Sequence, residues 1–296
     1  MNSTAAIVQP DFFIGNVADL PSLRDDLDIM SSPFFSLEKG RKTPMEWHGE
    51  LNKVKTKVVV TGADYGIANQ YDNDPLLYIR SGIIDALNRG KTPGRVVRFP
   101  VYDLLKATKR GTSGRSYQAF GETLQRLKAT SIITNVSKDG WTKDRGVSWI
   151  DSYEFVTKET KNGPMMAGCE IELSEWTFAM MVDNKRAISI DPAYFDLTSA
   201  LERKLYGIVR RQCGSQSVWC IGMEKLKEWC GSSSEDRAFR FAINKVISRQ
   251  PIPGYHLELT DRAPPMNGRP VLLPSTATGK RLNIFVARPT HRLIGL

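Results

Sequence analysis

Two stretches of this chain put Arg, Lys, Gln and Asn on one side of a helix and apolar residues on the other. In Arg115 to Ala129, Tyr117, Phe120, Leu124 and Leu127 recur at spacings of three, four and three. That period builds a buried stripe. It leaves Arg115, Ser116, Gln118, Gln125 and Arg126 for another surface. In Glu235 to Arg249, the residues Phe239, Ala242, Ile243 and Val246 form the core side. Arg237, Arg240, Asn244, Lys245 and Ser248 fan over the remainder, with Arg249 at the end. Phe241 disturbs the pattern, and packing against a neighbouring helix is its expected use, ahead of contact with a thymine methyl. The chemistry of such faces is recognition of duplex DNA. Arginine pairs with guanine edges in bidentate fashion, and glutamine and asparagine pair with adenine. Lys109 and Arg110, in the turn before the first helix, are expected on phosphate. Arg203, Lys204, Arg210 and Arg211 lie on a third helix and read as DNA-backbone contacts or plain surface.

Residue types for bond-breaking chemistry are sparse. The three histidines, His48, His256 and His291, are isolated, so a metal-dependent nicking centre has no ligand pair. Arg89-Gly90-Lys91-Thr92 ends like a phosphate-binding loop. Asp85 stands where its first glycine is needed, and a helix rather than a strand precedes it. The four cysteines show no paired spacing, and Cys213 and Cys220 read as small buried hydrophobes. Asp25, Asp26 and Asp28 fit a helix N-terminus, where acids favour the dipole. No enzyme activity, metal or cofactor is expected.

Charge supports the recognition reading. The 296 residues carry a net charge of +9. Residues 89–145 hold 13 Lys and Arg against 4 acids, an excess equal to the net charge of the whole chain. Such a block is the footprint of a polyanion binder. No apolar run is long enough to span a membrane, and no signal-peptide pattern opens the chain, so a reducing, cytoplasmic, bacterial setting is expected.

The elements that position these faces repeat. In the first half, Asp72 to Asn88 is a helix, Arg95 to Phe99 a strand, and Val101 to Lys109 a helix. The Arg115 helix follows. Ser131 to Val136 and Gly146 to Val156 are expected to pair as strands behind it. In the second half, Ser199 with Glu202 forms a capping box and opens a helix. Val218 to Ile221 is a strand, Met223 to Cys230 a helix, and the Glu235 helix follows. Tyr255 to Thr260 and Leu282 to Ala287 are the strands behind that one. Each half thus reads helix, strand, helix, helix, strand, strand, which is the plan of a winged helix. The expected fold is α+β, with two tandem winged-helix domains. Residues 1–24 form a loosely docked arm, 25–184 the first domain, and 185–296 the second. Five of the six tryptophans, Trp141, Trp149, Trp176, Trp219 and Trp229, are expected in cores or interfaces, and Phe34 and Phe35 within the first domain.

Several stretches resemble the plasmid replication initiator protein A family, and more distantly the iteron-binding initiators with two winged-helix domains. They are RDDLDIMSSPFFSLEKGRKTP (24–44), GIANQYDNDPLLYI (66–79), RGTSGRSYQAFGETLQRLKATSI (110–132) and SWIDSYEF (148–155). They continue in IDPAYFDLTSALERKLYGIVRRQCGSQ (190–216), KEWCGSSSEDRAFRFAI (227–243) and PIPGYHLEL (251–259). The tail after Thr260 departs from the pattern. The resemblance implies a protein that binds repeated sequences at a plasmid origin and brings in the host initiator and replicative helicase. It also implies control of copy number and possible pairing as a homodimer. A winged-helix transcriptional repressor is the alternative.

Overall fold

The computed structural model describes residues 12–13, 23–51, 54–135, 144–160, 163–183, 187–214, 216–261, 264 and 284–290. In chain order its strands and helices open with β1 (Phe12–Phe13), β2 (Leu23–Asp26), α1 (Leu27–Ser31), β3 (Met45–Leu51), β4 (Val54–Thr61) and α2 (Asp74–Asn88). Next come β5 (Val96–Phe99), α3 (Val101–Ala107), α4 (Gly114–Ala129), β6 (Ser131–Thr134), β7 (Arg145–Val147), β8 (Ile150–Thr160), β9 (Gly163–Leu173) and α5 (Glu175–Val182). The last are β10 (Ala187–Ile190), α6 (Ala200–Cys213), β11 (Trp219–Gly222), α7 (Met223–Cys230), α8 (Asp236–Arg249), β12 (Tyr255–Thr260) and β13 (Ile284–Pro289). The fold is mixed α/β.

Two hydrophobic cores organise it. In the first, Phe35 stacks on Trp149 with ring centroids 4.6 Å apart, and Phe34 meets the same indole edge-on at 5.9 Å. Phe120, Leu124 and Leu127 of α4 close this core from outside. The second gathers Leu205, Ile208 and Val209 of α6, Leu226 of α7, and Phe239, Ile243 and Val246 of α8 around β12 and β13. Trp149, Trp176 and Trp219 are buried and Trp229 is half-buried, as expected for core residues; Trp141 lies outside the described residues. All four cysteines are buried free thiols.

Sheet order carries the repeat. One sheet runs β1-β5-β9-β8 and another β11-β13-β12. In each, the strand between the first two helices of the repeat pairs with the last strand of the repeat, not the nearer one. The first hairpin differs from expectation. Residues 131–136 and 146–156 are not partners along their length. β6 pairs with β4 on one edge and with the short β7 on the other, in a separate sheet ordered β3-β4-β6-β7. The chain then crosses at Trp149, whose fully buried side chain pins the crossing. From Ile150 onward, β8 pairs with β9. β3 was not expected. Its signal is the alternation of buried Met45 and Trp47 with exposed Glu46 and His48, the period of a half-buried strand.

Most of the segment 1–24 lies outside the described residues. Phe12–Phe13 pair with β5, and β2 pairs antiparallel with β10. A division of the chain at 184/185 would separate β2 from this partner.

Asp26 caps α1 by accepting from the Asp28 and Ile29 amides, so the acidic cluster does open a helix. Its other oxygen accepts from Arg80 at 3.2 Å. Asp25 beside it is 8 % exposed, and burial pushes its carboxyl from 3.8 up to about 7 against the pull of Arg80 and Lys204. The folded chain therefore holds a proton there that the unfolded chain gives up near 3.8. That contribution to stability is complete below pH 3.8 and is lost as pH rises through about 7. Urea midpoints are expected to fall from pH 5 to pH 7 for the natural chain and to fall less for Asp25→Asn. An identical slope in both would show that Asp25 titrates alike in both states.

Candidate nucleic-acid interface

α8 is held by its apolar side and leaves the opposite side bare. Phe239, Ile243 and Val246 are buried. Arg237, Arg240, Phe241, Asn244, Lys245 and Ser248 are exposed. The turn that leads into it requires a glycine. Gly231 ends α7 with φ of 66°, and a Cβ there would come within 2.6 Å of Pro33. At the far end, Gln250 adopts φ of 48°. Its amide donates to the Leu257 carbonyl at 2.6 Å, and its Oε1 accepts from the Leu257 N–H at 2.8 Å. The helix is thereby tied to β12 behind it. Among the described residues the side chains of Arg237, Arg240 and Lys245 form no hydrogen bond or ion pair, so their charges are available to a ligand.

α4 offers a smaller open face. Arg115 and Gln118 are exposed, Ser116 and Gln125 partly so. Glu122 shares the face and accepts from Gln118 at 3.4 Å. Phe120 meets Phe155 of β8 with centroids 6.2 Å apart, so the β8–β9 hairpin backs this helix as β12–β13 backs α8.

Several cations expected to touch DNA are committed inside the protein. Arg126 donates to both oxygens of Asp72, each at 2.8 Å, which fastens α4 to the 3₁₀ turn Gln70–Asn73. This hydrogen-bonded carboxylate raises the guanidinium pKa above its usual value. Arg110 donates to Asp74 at 2.8 Å and to the Tyr71 carbonyl. Arg203 is 6 % exposed and reaches the other oxygen of Asp74 at 2.5 Å. Its guanidinium also lies 4.8 Å from the Tyr71 ring centroid and 5.2 Å from that of Tyr194. Lys204 is 3 % exposed and donates to the carbonyls of Met30 and Ser32. Burial lowers its ammonium pKa to about 8.

Arg203 and Lys204 are therefore corrected from surface contacts to struts. α6 is buried on nearly every side, so its long cations find acceptors within the protein. Arg210 donates to the carbonyl and hydroxyl of Ser189, holding β10. Arg211 is half-buried, and burial lowers its guanidinium pKa while Asp26 opposes the shift. Arg249 is tied to Glu202, the acid of the α6 capping box. Lys109 meets Asp196 at 2.6 Å, but both groups are exposed, and such a pair contributes little and yields easily to a phosphate.

Phe241 is a second correction. It is 72 % exposed and belongs to neither hydrophobic core of the described residues. Its break in the apolar period was the one sign of this in the sequence. Among the described residues no cluster of His, Cys, Asp and Glu could hold a metal. No described helix is long and apolar enough to cross a membrane.

The sequence over residues 24–257 matches the family of replication initiator protein A. A protein of Wigglesworthia glossinidia brevipalpis that bears a provisional replication-protein name is 34 % identical over 253 residues, 83 % of this chain and 88 % of that one. The chain belongs to the replication initiator protein A family. Its fold is similar to crystal structures of domains 2 and 3 of RctB. One gives a TM-score of 0.60 at 11 % identity, covering 86 % of this chain and 94 % of that one. Another, of RctB residues 155–483, gives 0.57 at 12 % identity, covering 89 % and 96 %. At such identities the likeness is one of fold.

Proposed function

We propose that this family member starts replication of a plasmid by binding repeated duplex sequences at the origin through two winged-helix units. The first unit comprises α2, β5, α3, α4, β8 and β9. The second comprises α6, β11, α7, α8, β12 and β13. α4 and α8 are the recognition helices, and the two strand pairs are the wings. The observation that carries the reading is α8. It is a helix buried on one side, with Arg237, Arg240, Asn244 and Lys245 open to solvent on the other. These are the side-chain types that read base edges in a major groove. Two such helices on successive turns would cover roughly 20 bp.

In this reading the chain works in the bacterial cytoplasm by binding, bending and recruitment, without turnover chemistry or cofactor. The recruited partners are the host initiator and the replicative helicase. Pairing of origin-bound copies would limit copy number. Arg115, Ser116, Gln118 and Gln125 supply the contacts of the first unit, with Lys109 on phosphate.

The test is Arg240→Ala. A lost bidentate base contact is worth about 1–3 kcal/mol, so binding to the recognised duplex is expected to weaken about 5- to 150-fold. Binding to random duplex should change much less. Equal losses on both would place Arg240 on phosphate alone.

A further inference from the structure

The exposed ring of Phe241 does not sit on a flank of α8. With about 100° of turn per residue, it lies roughly opposite Phe239, Ile243 and Val246, which bury the helix. Its neighbours one turn away are Arg237, Asn244 and Lys245, all exposed. The crest of α8 is thus one large apolar group inside a frame of hydrogen-bonding side chains. A protein-docking patch gathers several large apolar residues. Here the other apolar neighbour on the crest is Ala238, which offers a single methyl. A major groove has the matching pattern. Its edges offer donors and acceptors, and its apolar feature is the 5-methyl of thymine.

We propose that Phe241 is a specificity-determining residue that reads thymine through its 5-methyl group in the half-site entered by α8. The inference rests on the DNA-binding reading above and goes beyond it by naming a base and an atom. Arg237, Asn244 and Lys245 set the register by contacting base edges and phosphates. Phe241 then selects the base that carries a methyl at that step.

The experiment uses the full chain and duplexes that the chain itself enriches from a random-sequence pool. Each thymine of the enriched duplex is replaced singly by deoxyuridine, which removes only the 5-methyl. At one or two positions the natural chain is expected to lose about fourfold in affinity, the ratio that burial of one methyl supports. Phe241→Ala should bind the thymine and uracil duplexes equally, and Phe241→Leu should keep part of the preference. Unchanged thermal midpoints of both variants would show that the fold is intact, as expected for an exposed side chain.

If every position where uracil matters to the natural chain matters equally to Phe241→Ala, the proposal is overturned and the DNA reading stands. If no thymine-to-uracil change weakens the natural chain while Phe241→Ala loses affinity for every duplex, the ring is a wedge between base pairs, which also overturns it. Full affinity of Phe241→Ala for every duplex, with loss of self-association, makes the ring a protein contact and does the same. A pool that yields no enriched sequence removes both readings together.

Discussion

Asp74→Ala is expected to lower the free energy of unfolding by about 3–5 kcal/mol, the cost of breaking a buried ion pair from one side. The Asp74 carboxylate is fully buried and accepts from Arg110 and Arg203. Burial raises its pKa, and the two guanidiniums oppose that shift. Without it, Arg203 keeps the Leu197 carbonyl and two tyrosine faces but no counter-charge. Arg110 is less affected, because about a fifth of its side chain reaches solvent. The double variant Asp74→Leu/Arg203→Met removes both buried charges with similar volume, and so should cost much less than Asp74→Ala alone. Urea unfolding followed by tryptophan fluorescence measures both. A loss under about 1 kcal/mol for Asp74→Ala would show that Arg203 finds water in the folded state.

The salt dependence of DNA binding is the second large effect. Each phosphate neutralised contributes about −0.9 to the slope of log affinity against log salt. The cations expected from sequence number twelve, which would give a slope near −11. The structure commits most of them internally and leaves Arg115, Arg237, Arg240 and Lys245 open. If all four neutralise phosphate charge the slope is about −4, or roughly a hundredfold loss from 50 to 200 mM salt, and each one that meets only a base edge makes it shallower by about one unit. Lys109 would add one unit if it leaves Asp196. A slope near −11 would mean that the internal ion pairs reopen on DNA, and a flat response would remove duplex DNA as the ligand. Fluorescence anisotropy at four or five salt concentrations separates the three.

The helices and their faces were readable because each depends on neighbours within four residues. The stripe of Phe120, Leu124 and Leu127 and that of Phe239, Ile243 and Val246 are both buried as their spacing requires. The Ser199–Glu202 capping box is present in the structure. What depended on distant partners was not readable. Asp74 and Arg203 are 129 positions apart, and nothing local marks them as partners. A cationic helix face looks the same in sequence whether it meets solvent, as on α8, or a buried carboxylate, as on α6. The first hairpin was misjudged for a related reason. β6 takes β4 and β7 as partners and β8 takes β9, and the buried Trp149 sits where the chain passes from one sheet to the other.

The pairing of β2 with β10 bears on how such genes can recombine. Leu23–Asp26 and the carbonyls of Met30 and Ser32 precede the first repeat in the chain, yet they complete the surroundings of Ala187–Ile190 and Lys204. A crossover between two related genes near residue 185 would give the new protein a Lys204 facing carbonyls from a different parent. Exchanges that keep residues 23–32 and 187–204 from one parent preserve the junction. These two distant segments should therefore be inherited together, while the crests of α4 and α8 are free to diverge with the DNA they meet.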